Sequence, residues 1–160
     1  MENETIRLLN LFKEKGIEYT MYEHAPVYTS EEASRVRNVE LKTGVKAMLV
    51  RDKNHESRYY LLADVAADRR IDFPKLEQLA NVKHFRFATR EEVLAETSCE
   101  SGSVHPMGGL FGLSTFLDNS VLENEFVNFN IGMLTKSVKI RSRDLLKAME
   151  PDLIGDFSKL

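Results

Sequence analysis

Ile6, Leu8, Leu9, Leu11 and Phe12, with charged residues between them, follow a 3.6-residue stripe and predict a helix over residues 3–15 that Gly16 closes. From 17 to 23 the period changes to two. Ile17, Tyr19 and Met21 alternate with Glu18, Thr20 and Tyr22, which predicts a half-buried strand, and His24-Ala25-Pro26 ends it. Thr29 and Ser30 stand before Glu31 and Glu32, a hydroxyl-then-carboxylate helix start, so a short helix is expected as far as Val36. The run VKAMLVRD at 45–52 is the strongest strand signal of the first half, and 59–64 pairs with it as a hairpin across the polar tip 53–57. A helix follows over 73–79 with Pro74 in its first turn, then a short strand at 84–88 around Phe85 and Phe87 and a helix over 89–97. Strands are expected at 114–118, 125–130 and 135–141, and a closing helix at 142–149 with Pro151 just beyond.

The stretch SGSVHPMGGLFGL, 101–113, falls outside both periods. It holds four of the eight glycines and one of the four prolines, so it is a shaped loop. Either it joins two elements as a long turn or it offers bare amides to a ligand. Strands and helices alternate irregularly and the last strands are neighbours, which predicts an α/β fold. The expected architecture is a single compact domain over 1–160, with a mixed, mostly antiparallel sheet and helices packed outside it.

Length and composition agree with one soluble domain, since 160 residues can bury a substantial core. Apolar runs are short, and Met1 leads into Glu2 and Glu4 rather than a basic and apolar leader, which predicts a cytoplasmic protein. A single cysteine, Cys99, excludes an internal disulfide. The net charge of −3 means that any contact with nucleic acid must run through a local basic patch. Arg35, Arg37, Lys42, Arg51, Lys53, Arg69 and Arg70 are spread along the chain, and either gather on one rim or form a solvated surface.

Lys46 is the most informative single residue. Its strand is apolar on both faces, so the ammonium is either partly buried, with a lowered pKa or a partner, or snorkels to water from the strand's start. The histidines 24, 55, 84 and 105 show no metal-ligand spacing, and no metal or other cofactor is expected. His24 lines a turn or a pocket, His55 is solvated and His84 flanks a strand; His105 either binds a ligand or faces solvent. Cys99 has no base nearby in sequence and reads as a small buried apolar residue. No nucleophile elbow, phosphate loop or dinucleotide fingerprint is present.

Three features occur in order: HAPVYTSEEA at 24–33, Lys46 within TGVKAMLVRD, and Gly102-Ser-Val-His-Pro106 after a helix. Together they resemble the YbaK/ProX family of aminoacyl-tRNA deacylases, relatives of the editing domain of bacterial prolyl-tRNA synthetase. The resemblance covers about residues 5–149 and implies that family's compact α/β editing-domain fold. It also implies metal-independent hydrolysis of the ester joining a wrong amino acid to tRNA. The family's strand lysine falls on Lys46, and its GxxxP glycine and proline fall on Gly102 and Pro106. Lys46 and Gly102 are the implied catalytic residues, with His24, Met48, Ser103, His105, Pro106 and Asn130 as substrate-binding candidates. The implied partners are the 3′ acceptor end of aminoacyl-tRNA and an aminoacyl-tRNA synthetase.

Backbone amides of the glycine loop suit an ester carbonyl as negative charge develops on it, and water activated with help from the substrate serves as nucleophile. Prolyl-tRNA-linked members carry Phe-His in the late strand, whereas this chain has Phe129-Asn130, and an amide cannot act as a general base. KAMLV also departs from the KNLFL wording of alanine-editing members, which leaves Ala, Ser, Thr and Cys all open as the amino acid removed. The alternatives are a non-catalytic tRNA- or synthetase-associated module using the same pocket, and an α/β pocket unrelated to tRNA.

Overall fold

The computed structural model describes residues 2–160. Among the described residues there are five α-helices: α1 (Glu2–Lys15), α2 (Ser30–Arg37), α3 (Phe73–Ala80), α4 (Arg90–Thr97) and α5 (Ser142–Met149). Thr29 accepts the Glu32 amide at the start of α2, and Asp72 accepts the Lys75 amide at the start of α3. Thr89 and Glu92 form a reciprocal capping box on α4. Asn38 and Asn81 end α2 and α3 in the left-handed region, where asparagine is tolerated. Within α1 the buried face is carried by Leu8 and Phe12, while Ile6, expected on that face, stands half exposed.

The strands are β1 (Thr20–Glu23), β2 (Val45–Asp52), β3 (Tyr60–Ala66), β4 (Arg70–Ile71), β5 (Phe85–Phe87), β6 (Ser114–Asp118), β7 (Phe126–Asn130), β8 (Lys136–Arg141), β9 (Leu153–Gly155) and β10 (Ser158–Lys159). They form a five-stranded mixed sheet in the order β5-β2-β3-β6-β9, a three-stranded antiparallel sheet β1-β8-β7, and the small ladder β10-β4. Between the strands, β3-β6 and β6-β9 pair in parallel and the other pairs are antiparallel. The mixed, mostly antiparallel character matches expectation, but the strands divide into three sheets rather than one. The expected β2-β3 hairpin forms, with Lys46 opposite Val65 and Met48 opposite Ala63. The strand expected from Ile17 starts at Thr20, because Ile17 is still bonded back to the carbonyl of Phe12 at the end of α1.

Three apolar clusters fill the interior. Leu8, Phe12 and Leu145 from α1 and α5 pack on Val127, Phe129, Val138 and Ile140 of the three-stranded sheet. One side of the five-stranded sheet places Val50, Leu61 and Ala63 under Leu76 and Phe157. Its other side packs Leu49 and Leu62 under Val93, Cys99 and Val104. β2 is therefore covered on both faces, as its two apolar faces require. Gly44, just before β2, makes an isolated bridge to Asn128 on β7, so the two larger sheets meet there.

Candidate functional site

A cavity of about 360 Å³ opens at that seam. One wall is the start of β2, a second is α2, a third is the segment from Ser101 to Val104, and Asn128 and Asn130 of β7 close the back. Of the expected site residues, Lys46, Met48, Gly102 and Asn130 line it. His24, Ser103, His105 and Pro106 do not. No carboxylate lines it, while Lys46 and Arg37 both do, so this acidic chain carries a locally cationic pocket.

Lys46 is half-buried, and among the described residues it makes no hydrogen bond or ion pair. Burial pushes its pKa down; Glu31 and Asp68 pull it back up, and Arg70 lowers it further. An ammonium kept at a cavity wall without a partner is available to a ligand.

Gly102 has φ +90°, a conformation that glycine adopts without the Cβ penalty. Gly102 and Val104 both line the cavity, and among the described residues neither of their amides donates to another group of the chain. The remainder of the loop turns away. Ser103 is buried, its hydroxyl donating to the Glu100 carbonyl at 2.7 Å while its own carbonyl accepts the Gly132 amide at 2.8 Å. Pro106 is buried behind it. Gly108 passes so close to β6 that a Cβ there would overlap the Thr115 hydroxyl.

His105 finds neither of the surroundings expected for it. Its ring is fully buried, stacked on Phe111 with centroids 4.4 Å apart, and Nδ1 accepts the Met107 amide. Nε2 has no partner, and burial, followed by the charge of Arg7, pushes the pKa down to about 3. His84 is solvent-exposed beside Glu77, and His55 is exposed on the hairpin tip. Cys99 is buried as expected, and burial pushes its thiol up to about 11.

Sequence reasoning missed Arg37, which it grouped with the scattered surface positives. Arg37 is 7% exposed and holds the back of the cavity together. Nε donates to the Ser137 hydroxyl at 2.8 Å, Nη1 to Asn128 Oδ1 at 2.9 Å and Nη2 to Asn130 Oδ1 at 2.8 Å. Every partner is neutral, and burial pushes the guanidinium down to about 10. Asn130 in turn donates from Nδ2 to the Gly102 carbonyl at 2.7 Å. A chain of side-chain bonds thus runs from α2 through β7 to the glycine turn, with both ends of the Asn130 amide engaged. The available signal was Ala33, four residues earlier: positions four apart share a helix face, and both are buried.

His24 lies one step behind this chain. Its Nδ1 faces the Ala25 carbonyl at 2.9 Å and so carries the proton, which leaves Nε2 to accept from Ser137 Oγ at 2.7 Å. The Ser137 hydroxyl has a second acceptor in Asn130 Oδ1, at 3.1 Å. Among the described residues no three His, Cys, Asp or Glu side chains gather as metal ligands, and no helix is long and apolar enough to cross a membrane.

Comparison with known proteins gives a consistent picture. Residues 24–148 match the model of the aminoacyl-tRNA editing domain. The multifunctional Ser/Thr-tRNA deacylase ProXp-y of Escherichia coli (strain K12) is 29% identical over 150 residues, 93% of this chain and 90% of that protein. The prolyl-tRNA editing protein ProX of Acetoanaerobium sticklandii is 31% identical over 97 residues, 61% of this chain and 58% of that one. Among solved structures, a hypothetical protein shares the fold with a TM-score of 0.85 at 21% identity, covering 98% of this chain and 100% of its own. A proposed trans-editing enzyme for prolyl tRNA synthetase does so with a TM-score of 0.81 at 22% identity, with 98% of each chain covered.

Proposed function

The chain belongs to the aminoacyl-tRNA editing domain family, and from that premise we propose that it hydrolyses the ester of tRNA mischarged with a small amino acid, acting in trans. One observation carries this reading: one small cavity is lined by an unpartnered strand lysine and, on another segment, by Gly102 and Val104, whose amides have no acceptor within the described chain. An aminoacyl ester needs those two things as its carbonyl becomes tetrahedral. The amides of Gly102 and Val104 take the developing oxyanion, and Lys46 supplies positive charge to it or to the phosphate of the terminal nucleotide. Ala33, Ser34, Gly44 and Ala47 bring small groups to the lining, which suits Ala, Ser, Thr or Cys rather than a bulky side chain. Asn130 supports the glycine turn and takes no part as a base. Water is the nucleophile, since Cys99 is buried and held as the neutral thiol, and no histidine or carboxylate lines the cavity to activate the hydroxyls of Thr29, Ser30, Ser34 or Ser101.

The reading assigns residues 1–160 to one editing domain, supported by Phe157, which lies beyond the family match yet is buried in the shared core. It assigns the protein to the cytoplasm, where charged tRNA is made, with the synthetase that makes the error as a further partner. The test is a panel of aminoacyl-tRNAs incubated with wild type and Lys46→Ala. A tRNA carrying a small amino acid is expected to lose it well above the buffer rate, and Lys46→Ala to lower that rate by about a hundredfold or more, the scale of losing one transition-state charge contact. If every aminoacyl-tRNA decays at the buffer rate, the deacylase reading fails; if Lys46→Ala matches wild type, the assignment of Lys46 fails.

A further inference from the structure

A second cleft of about 280 Å³ adjoins the first, and the two share Lys46, Met48 and Phe87. Arg70, Ile71, Phe73 and Lys159 complete it. The ladder β4-β10 sets Lys159 directly opposite Arg70. Like charges facing each other across a ladder are destabilising when nothing lies between them. The ladder is nonetheless held firmly: Ser158 donates to the buried Asp118 at 2.7 Å and accepts from Arg69 Nε at 2.6 Å. Arg70 is near enough to Lys46 for its charge to be felt there, so three cations converge. Asp68 and Glu31 also act on Lys46, but neither lines this cleft. Arg70 spends one donor on a terminal main-chain oxygen of Leu160 at 2.9 Å and keeps the others. Beside the cations, Phe87 meets Phe73 edge to face at 4.9 Å and is still 47% exposed.

Cations that repel one another beside an uncovered aromatic ring are what a single nucleic-acid strand binds: phosphate neutralises the first and a base stacks on the second. We infer that this cleft takes the nucleotide preceding the esterified terminal one in the substrate's single-stranded 3′ end. Its phosphate lies on Arg70 and Lys159 and its base on Phe87. Lys46 stands where the strand passes from one cleft to the other. This inference rests on the deacylase reading, and it shows how a chain of net charge −3 meets RNA through a local patch.

The test compares two esters of the amino acid removed fastest in the panel above: the full aminoacyl-tRNA, and the aminoacyl ester of adenosine alone, which lacks the preceding phosphate and base. In the double variant Arg70→Gln, Lys159→Gln, kcat/KM toward the tRNA should fall about ten- to a hundredfold, and toward the adenosine ester by less than twofold. The slope of log kcat/KM against log salt on the tRNA should become shallower by about 0.7 for each cation removed. Equal losses on both esters, or no loss on tRNA, overturn the inference. A separate arm measures fluorescence anisotropy of a labelled, uncharged RNA oligonucleotide ending in CCA. Phe87→Ala and the double variant should weaken binding about tenfold, and Phe87→Tyr should restore it. Unchanged binding overturns the inference even if wild type hydrolyses neither ester, a result that would sink only the deacylase reading.

Discussion

Asp64 lies at the middle of the central strand β3, fully buried, with neither carboxyl oxygen hydrogen-bonded. Burial raises its pKa well above the ordinary carboxylate range, so the folded state keeps the proton where the unfolded chain has released it. The folded state then binds more protons, and stability falls as pH rises above the unfolded value of about 3.9 until the folded value is passed. The slope is about 1.4 kcal/mol per pH unit. His105 works in the opposite direction: with a folded pKa of about 3 against about 6.5 unfolded, its contribution is fully present above about pH 6.5 and lost as pH falls toward 3. Above about pH 4 the two slopes oppose each other for as long as the folded Asp64 keeps its proton, and there wild-type stability should be nearly flat with respect to these groups. Asp64→Asn removes one slope only. The difference in unfolding free energy between Asp64→Asn and wild type, from urea titrations at half-unit intervals, should grow in favour of the variant by about 1.4 kcal/mol per unit. Against a total of about 5–15 kcal/mol for a typical domain, two such units are easily measured. A difference that stays constant with pH would refute the reasoning, because it would require an ionised Asp64 in the folded protein.

Two further outcomes follow from the site. Asn130→Ala leaves Arg37 Nη2 without its acceptor and frees the Gly102 carbonyl, so stability should drop by about 1.5–3 kcal/mol in urea unfolding and deacylation should slow; unchanged stability would mean that the tie carries no load. Cys99, buried with its thiol pushed up to about 11, should react with a thiol reagent in native buffer only at the rate of global unfolding, and rapid native labelling would contradict its burial.

The parts of the fold legible in the sequence are those fixed by local chemistry. Thr29, Pro74 and the hydroxyl of Thr89 locate three helix starts to within a residue or two, and the two apolar faces of β2 announce a covered strand. What was lost depends on contacts between distant segments. β4 and β10 are two residues each, too short for any period to show, and they exist because they pair with one another. Lys46 and Gly102 could be singled out by residue type, but Arg37 looks like any helix-surface arginine until β7 places two asparagines two residues apart on the facing side. His105 shows the same dependence: a polar ring in a glycine loop suggests a ligand or solvent, whereas a ring stacked on Phe111 and bonded to the Met107 amide is stable inside.

The cavity's walls belong to different sheets, β2 to one and β7 to the other. Its width is therefore mechanically soft in one direction, because the sheets can part slightly without breaking a ladder in either. Resisting that are the Gly44–Asn128 bridge, the Asn128–Thr43 bond at 2.8 Å and the bond from Asn124 to the Lys42 carbonyl at 2.9 Å, while Arg37 fixes the α2 wall to the β7 side. At about 1 kcal/mol for a neutral bond and somewhat more for a charged one, these few links set how large a side chain the cavity admits before it must open. Selectivity against bulky amino acids is then an elastic property of the walls as much as a matter of lining volume, and loosening Arg37, which holds the α2 wall against β7, should broaden the range of esters accepted before it unfolds the protein.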